Sequence, residues 1–264
     1  MIQTLLVVFF STGCLFGYED GEKKGQIRTE LKKLGKHDWA GEYIYGAWGD
    51  VQLLILAPGS GFEIERHRCL GPVERNYGAV EVKDSRVHLR FSLKNPSEGW
   101  EKFAADWTIV RWGDRRYLVP QDGLVEFCNR VNLGFEGHFL RKGDEKKLVQ
   151  GMPDVPAEYR DYLLSKPVEA TVVAVGKAST RPSRADWNFK DTPVTIDAGS
   201  KNGLKAGMEL AVTKPGWITE MVRITKVEEG RVEGIMTQII EDSPGPQLGW
   251  RLSTRHPLID LIGK

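Results

Sequence analysis

A chain of 264 residues that is 41% hydrophobic and 28% charged holds enough apolar material for a core in each of two domains. Its 37 basic and 36 acidic side chains leave a formal charge of +1, so no whole-chain field draws it to nucleic acid, which is excluded as the expected partner. Twenty-nine glycines, and eight tryptophans spread from Trp39 to Trp250, suit many short strands joined by tight turns.

Residues 1–17 differ from all that follows. The apolar run Leu5-Leu6-Val7-Val8-Phe9-Phe10 leads through Ser11-Thr12-Gly13 to Cys14. The run is too short to span a bilayer, which takes about 20 residues, but it fits the apolar core of a secretory signal. Met1 to Thr4 carries none of the positive charge with which such signals begin, and a buried N-terminal strand or helix is the alternative. The expectation is export, with the mature chain beginning between Cys14 and Asp20 and residing in the periplasm or anchored outside the cytoplasm. The small residues before Cys14 resemble the lipobox of bacterial lipoproteins, although Ser11 stands where that family usually has Leu. The resemblance implies lipidation of Cys14 and membrane anchoring through the N-terminus; without it, cleavage falls near Gly17. With Cys14 removed or acylated, Cys69 and Cys128 remain as an even pair that an oxidising compartment would let bridge. Closing a loop of about 60 residues in this way would contribute roughly 4 kcal/mol. Two buried thiols are the alternative.

The domain expected over 18–150 opens with a helix over 22–36, where Ile27, Leu31 and Leu34 share a face and Gly35 supplies the stop. Its many lysines read as a solvated face. From Trp39 onward the period shifts to strands: 42–47 and 51–57 around Trp48-Gly49-Asp50, then 61–68, 79–83, 86–93, 107–112 and 116–119. That makes about seven strands of an antiparallel meander or barrel. Phe62 and Ile64 alternate with Glu63 and Glu65, which read as a solvated face rather than a glycosidase pair. A helix over 123–133 carries Leu124, Phe127, Cys128 and Val131 on one side, with Asp122 as its expected N-cap and Cys128 turned toward the sheet bearing Cys69. Arg111, Arg115 and Arg116, interleaved with Trp107, Trp112 and Tyr117, form a candidate surface for an anionic sugar polymer or lipid headgroup. A sheet with core aromatics and snorkelling arginines is the plainer reading.

Trp39-Ala40-Gly41-Glu42-Tyr43, Gly59-Ser60-Gly61-Phe62, Gly78 and Val87-His88-Leu89 resemble lipocalin-like meander domains. The resemblance implies a closed barrel able to take a small apolar ligand inside.

Gly151-Met152-Pro153-Asp154-Val155-Pro156 marks a linker over 151–168, with a short helix from Pro156 to Leu164. The second domain, 169–264, reads as a small β-barrel. It begins with the β-branched run 170–175, followed by a polar loop over 177–191. That loop carries Arg181, Arg184, Trp187 and Lys190, and Trp217 sits in the turn Pro215-Gly216-Trp217; all five are candidate contact residues. The text Val194-Thr195-Ile196-Asp197-Ala198-Gly199-Ser200-Lys201-Asn202-Gly203-Leu204-Lys205-Ala206-Gly207-Met208-Glu209-Leu210 resembles the small barrels of bacterial envelope assembly proteins, the rod-shape scaffold and a flagellar assembly protein among them. That resemblance implies strand, glycine turn and strand, in a module that binds proteins. Two more strands over 219–227 and 232–240 follow, and 251–255 is expected to close the barrel.

No phosphate loop follows the glycines at 199, 203 and 207, because the turn leads to a strand and not to a helix. His37, His67, His88, His138 and His256 show no metal-ligand spacing, and neither a nucleophile elbow nor a triad is legible. No cofactor or metal is expected. The function expected is that of a non-enzymatic exported binding or assembly protein of a bacterial cell envelope, with another envelope protein or a cell-wall component as partner. A lipocalin-like small-ligand binder is the alternative, and a hydrolase with an unrecognised site a more distant one.

Overall fold

The computed structural model describes residues 21–257 and 259, apart from 48, 70, 98–101, 136, 183–187, 215–219 and 239–243. Helix α1 (Glu22–Leu34) begins the described chain and ends at Gly35, whose φ of 62° few other residues would adopt. Eight strands follow: β1 (Gly41–Ala47), β2 (Asp50–Ala57), β3 (Gly61–Arg68), β4 (Gly71–Lys83), β5 (Arg86–Phe91), β6 (Asp106–Trp112), β7 (Arg115–Pro120) and β8 (Phe139–Arg141). Each pairs antiparallel with the next, and β8 returns to β1 through Tyr43–Arg141 and Ile44–Leu140, closing an up-and-down barrel. The strand count exceeds the expectation by one. β8 has three residues, too few for a periodic signal. β4 starts eight residues before the expected Ala79, because Pro72, Glu74, Arg75 and Asn76 carry no apolar alternation yet pair fully with β3.

The barrel axis is filled by Tyr43, Leu54, Leu56, Phe62, Ile64, Val87, Leu89, Trp107, Leu118 and Phe139. Eight strands enclose just enough room for such a core or for one small ligand. The wall is drawn tight at Gly78, where a Cβ would lie 1.8 Å from the Arg90 carbonyl oxygen.

Two elements roof the outside of this barrel. α1 lays Ile27 and Leu31 on Ile55 and Ala57. Beneath it Glu63 and Glu65 are buried, which corrects the reading of a solvated strand face: the covering helix lies some forty residues earlier in the chain. Helix α2 (Leu124–Leu133) places Leu124, Phe127 and Cys128 against Val110, Tyr117 and Val119 of β6 and β7. Its N-cap is Gly123 and not Asp122, which sits in the preceding 3-10 turn Gln121–Gly123. The expected disulfide is absent and both cysteines are free. Cys128 is buried against β6 and β7, facing the sheet as expected, with its Sγ also 3.9 Å from the linker's Tyr159 carbonyl oxygen. Cys69 is exposed beyond the end of β3, beside Gly49.

The linker holds a 3-10 helix, Ala157–Tyr162, opened by Pro156 as expected. The second barrel comprises β9 (Glu169–Val175), β10 (Ser179–Pro182), β11 (Asn188–Ile196), β12 (Glu209–Lys214), β13 (Met221–Val227), β14 (Val232–Gln238) and β15 (Arg251–Ser253). Six of them run in the order β11-β14-β13-β12-β15-β9 and close through β9 and β11. β15 joins β12 to β9, the closing role expected of 251–255. The glycine-turn reading also holds, with Gly203 at φ 83° and Gly207 at φ 88°. The expected polar loop over 177–191 is in large part a hairpin arm. β10 pairs with the outer half of β11, and the ion pair of Arg181 with Asp191 ties its polar residues together.

Helix α2 also joins the two barrels. Asn129 donates to the Gly207 carbonyl oxygen at 2.8 Å. Asn132 donates to the Tyr162 carbonyl oxygen and accepts from the Leu164 N–H. The His256 N–H donates to the Leu133 carbonyl oxygen.

Candidate binding sites at the two ends of the first barrel

One barrel end opens between the β1–β2 turn, the β3–β4 turn, the β5–β6 loop and the chain entering α2. The described parts of the β5–β6 loop, residues 92–97 and 102–105, are held by two asparagines. Asn95 accepts from the Phe103 N–H at 3.0 Å and donates to its carbonyl oxygen at 2.8 Å. Asn76 accepts from the Leu93 N–H and donates to the Leu93 carbonyl oxygen. Phe103 is thereby lowered into the opening beneath the Arg66 guanidinium, 6.0 Å from the ring centre. What remains is a mouth pocket of about 350 Å³, lined by Tyr45, Gln52, Arg66, Phe103, Trp107, His138 and Phe139, with Asp122 and Glu126 at its edge.

His138 is the unusual member. Its φ of 79° lies in the left-handed region although it is not glycine, and the residue is 6% exposed. The ring stacks on Tyr45 with centroids 5.4 Å apart and leans on Phe127 at 5.7 Å. Among the described residues its Nε2 is buried without a hydrogen-bond partner. Burial, helped by the nearby Arg130 charge, pushes its pKa down to about 4, so the ring is neutral at neutral pH. Burial and the Glu126 carboxylate also raise the Tyr45 phenol. A base this weak matches proton abstraction near pH 7 poorly. A neutral ring among aromatic faces suits holding a polar atom of a ligand instead. Sequence reasoning passed over His138, because neither its backbone conformation nor its burial leaves a local signal.

The opposite end is shut by residues 36–40. Tyr43 Oη donates to the Trp39 carbonyl oxygen at 2.7 Å, and Arg141 Nη1 to that of His37 at 2.6 Å. Here the three candidate arginines do meet. Arg111, Arg115 and Arg116 line a pocket of about 450 Å³ together with Lys36, Asp114 and Lys147. Arg115 is buried and donates to the carbonyl oxygens of Lys147 and Glu145, at 2.8 and 2.7 Å. Asp38 lies 3.4 Å from Arg111 and 3.6 Å from Arg116. The aromatic half of the expected surface does not join them. Trp107 is in the barrel core with its indole N–H on the Ala104 carbonyl oxygen, and Tyr117 is buried against Phe127. Trp112 donates to the Gly151 carbonyl oxygen. Strand alternation sends these rings to different sides of the wall.

Of the second-barrel candidates, Arg181 donates to Asp191 at 2.6 Å and stacks 4.3 Å over Phe189. Lys190 lies in β11 opposite Thr180 and Gln238. Arg184, Trp187, Trp217 and Cys14 fall outside the described residues. Glu63 and Glu65 form a roofed charge cluster: Arg75 donates to Glu63 at 2.5 Å, and Lys24 and His67 meet Glu65 at 2.6 and 3.0 Å. Burial raises the Glu63 carboxyl, whereas at Glu65 the contacts with Lys24 and His67 outweigh burial and hold it below the usual range. Among the described residues no group of three or more His, Cys, Asp or Glu could hold a metal ion.

Comparison with protein-family models, curated proteins and solved structures finds no match to this chain.

Proposed function

We propose that this protein is a binding protein of a bacterial cell envelope that takes a small ring-bearing group of its ligand into the mouth of the eight-stranded barrel. The observation that carries the reading is His138: strained, buried, and with a ring nitrogen that has no partner among the described residues, in the wall of an aromatic pocket. Strain and an unsatisfied polar atom together are costly, and such costs collect where a ligand is held. At about 350 Å³ the pocket is near the lower limit for small-molecule sites, and the barrel below it is filled by side chains, so a portion of a ligand enters and not a long chain. The lipocalin-like order of the first domain and the apolar leader support an exported binder.

The test is purification from solubilised membranes of the native host, with mass identification of bound small molecules and of the N-terminus. A ring-bearing compound is expected on the native protein and missing from a folded His138→Phe variant, which keeps an aromatic ring at the position and removes Nε2. Equal occupancy of the two proteins would overturn the ligand reading. An intact Met1 on a cytosolic product would overturn export.

A second reading, assembly through the C-terminal barrel, is favoured by a separate observation. Val173 and Leu248 are 50% and 68% exposed, and the Gly249 N–H bonds to Val172, bringing Leu248 beside β9. Exposed apolar side chains gathered in this way suit a protein partner, as the resemblance to the rod-shape scaffold implies. Val173→Glu with Leu248→Glu is expected to abolish co-purification of that partner at unchanged melting temperature. Retention of the partner would remove this reading.

A further inference from the structure

The closed end of the first barrel carries charge that the mouth pocket does not use. Lys36, Arg111, Arg115, Arg116 and Lys147 converge there from three separate stretches of chain. The carboxylates among them are Asp38, Asp114 and Asp144. Five positive groups against three negative ones leave a local charge of +2 in a molecule whose whole charge is +1. The frame is stiff. Asp114 donates its N–H to the Leu148 carbonyl oxygen at 3.0 Å, and a Cβ at Gly113 would lie 2.5 Å from that same oxygen. The β6–β7 turn is thus pressed onto the 144–149 segment, and the two carbonyl contacts of Arg115 fix its guanidinium in advance.

Lys147 is ion-paired with the buried Asp144, and Asp38 shows how Arg111 and Arg116 are engaged. It reaches Arg111 and Arg116 at 3.4 and 3.6 Å, well beyond the roughly 2.7–2.9 Å of a charge-assisted hydrogen bond, and is 73% exposed. Two guanidinium groups therefore flank one acidic group without being clamped by it. A planar carboxylate has two oxygens to share between them. A phosphomonoester presents three, enough to meet both arginines and a lysine, and it forms paired bonds with guanidinium forks. The pocket exceeds a bare phosphate in size and leaves room for an ester substituent.

We propose that this pocket is a binding site for a phosphomonoester, with Arg111 and Arg116 as the reading pair, Lys36 at the rim, and Asp38 as a built-in competitor. The site is independent of the mouth pocket at the other end. Its source is either a phosphomonoester lipid headgroup or a soluble phosphomonoester, and the experiment separates them.

Full-length protein is titrated with glycerol 1-phosphate by calorimetry at low and at physiological salt, and is sedimented with phosphatidylcholine vesicles with and without phosphatidic acid. Arg111→Gln and Asp38→Asn change exposed side chains and are expected to keep the wild-type melting temperature. Saturable binding that weakens with salt is expected, at least tenfold weaker in Arg111→Gln and severalfold tighter in Asp38→Asn. Glycerol phosphate binding without vesicle binding assigns a soluble source. Sedimentation only with the vesicles that contain phosphatidic acid, lost in Arg111→Gln, assigns the headgroup. Absence of binding in both arms, or Asp38→Asn weakening binding as Arg111→Gln does, overturns the proposal.

Discussion

His138 and Asp84 both have positive φ, at 79° and 54°, but in different circumstances. Asp84 turns the chain between β4 and β5, where its short polar side chain tolerates the left-handed region. His138 leads into β8 and is packed between Tyr45 and Phe127, so its conformation is imposed by the tertiary structure at a cost on the order of 1–3 kcal/mol. Its burial has a pH consequence with a definite sign. The native ring binds a proton less readily than the unfolded chain does, its pKa having moved from 6.5 to about 4. Stability from this group is complete above about pH 6.5 and is lost as pH falls toward 4, by an amount on the order of 3 kcal/mol. His256, also lowered by burial, acts in the same direction. Urea midpoints measured from pH 7.5 to 4.5 are expected to fall, and to fall less in His138→Asn, since Asn accepts the backbone and does not titrate. Parallel curves for the two proteins would show that His138 does not bury its neutral form.

Among the elements, α1 shows how far a helix can be read from its own residues. Its extent and its stop at Gly35 follow from the spacing of Ile27, Leu31 and Leu34. Its partner does not. Lys24, one of a row of lysines in the sequence, is the one buried against Glu65, while Glu30 accepts the N–H groups of Gly59 and Ser60 in the β2–β3 turn. A buried ion pair adds little over apolar residues, but removing one member strands the other. Lys24→Met is expected to destabilise the protein by about 3 kcal/mol in equilibrium urea unfolding, and adding Glu65→Gln to recover a substantial part of it. If the double variant is no more stable than the single one, the pair is not what holds α1 on the barrel.

At the scale of the molecule, α2 belongs to both barrels. Its apolar side completes the outer wall of the first, and Asn129 and Asn132 bind the second barrel and the linker. Such amide contacts contribute about 1 kcal/mol each, yet they determine whether the barrels unfold together. One calorimetric transition is expected for the native chain and two for the Asn129→Ala, Asn132→Ala variant. Two transitions already present in the native chain would show that the barrels are energetically separate.

The sequence by itself determined the elements. Period-two alternation marks β3, β5 and β6, glycines mark the turns at 203 and 207, and Pro156 marks the linker helix, because each is a local preference of a few residues. Closure, burial of charge and assembly of the sites were decided by the tertiary structure. The three residues of β8 close a barrel only because β1 waits beside them, and Glu63 and Glu65 are buried only because α1 crosses over. The arginines at 111, 115 and 116 were visible as a cluster, but Lys36 and Lys147 join them by folding alone. His138 gave no warning, since left-handed geometry and a missing hydrogen bond are properties of surroundings drawn from β1, α2 and β8, which no short window of sequence contains.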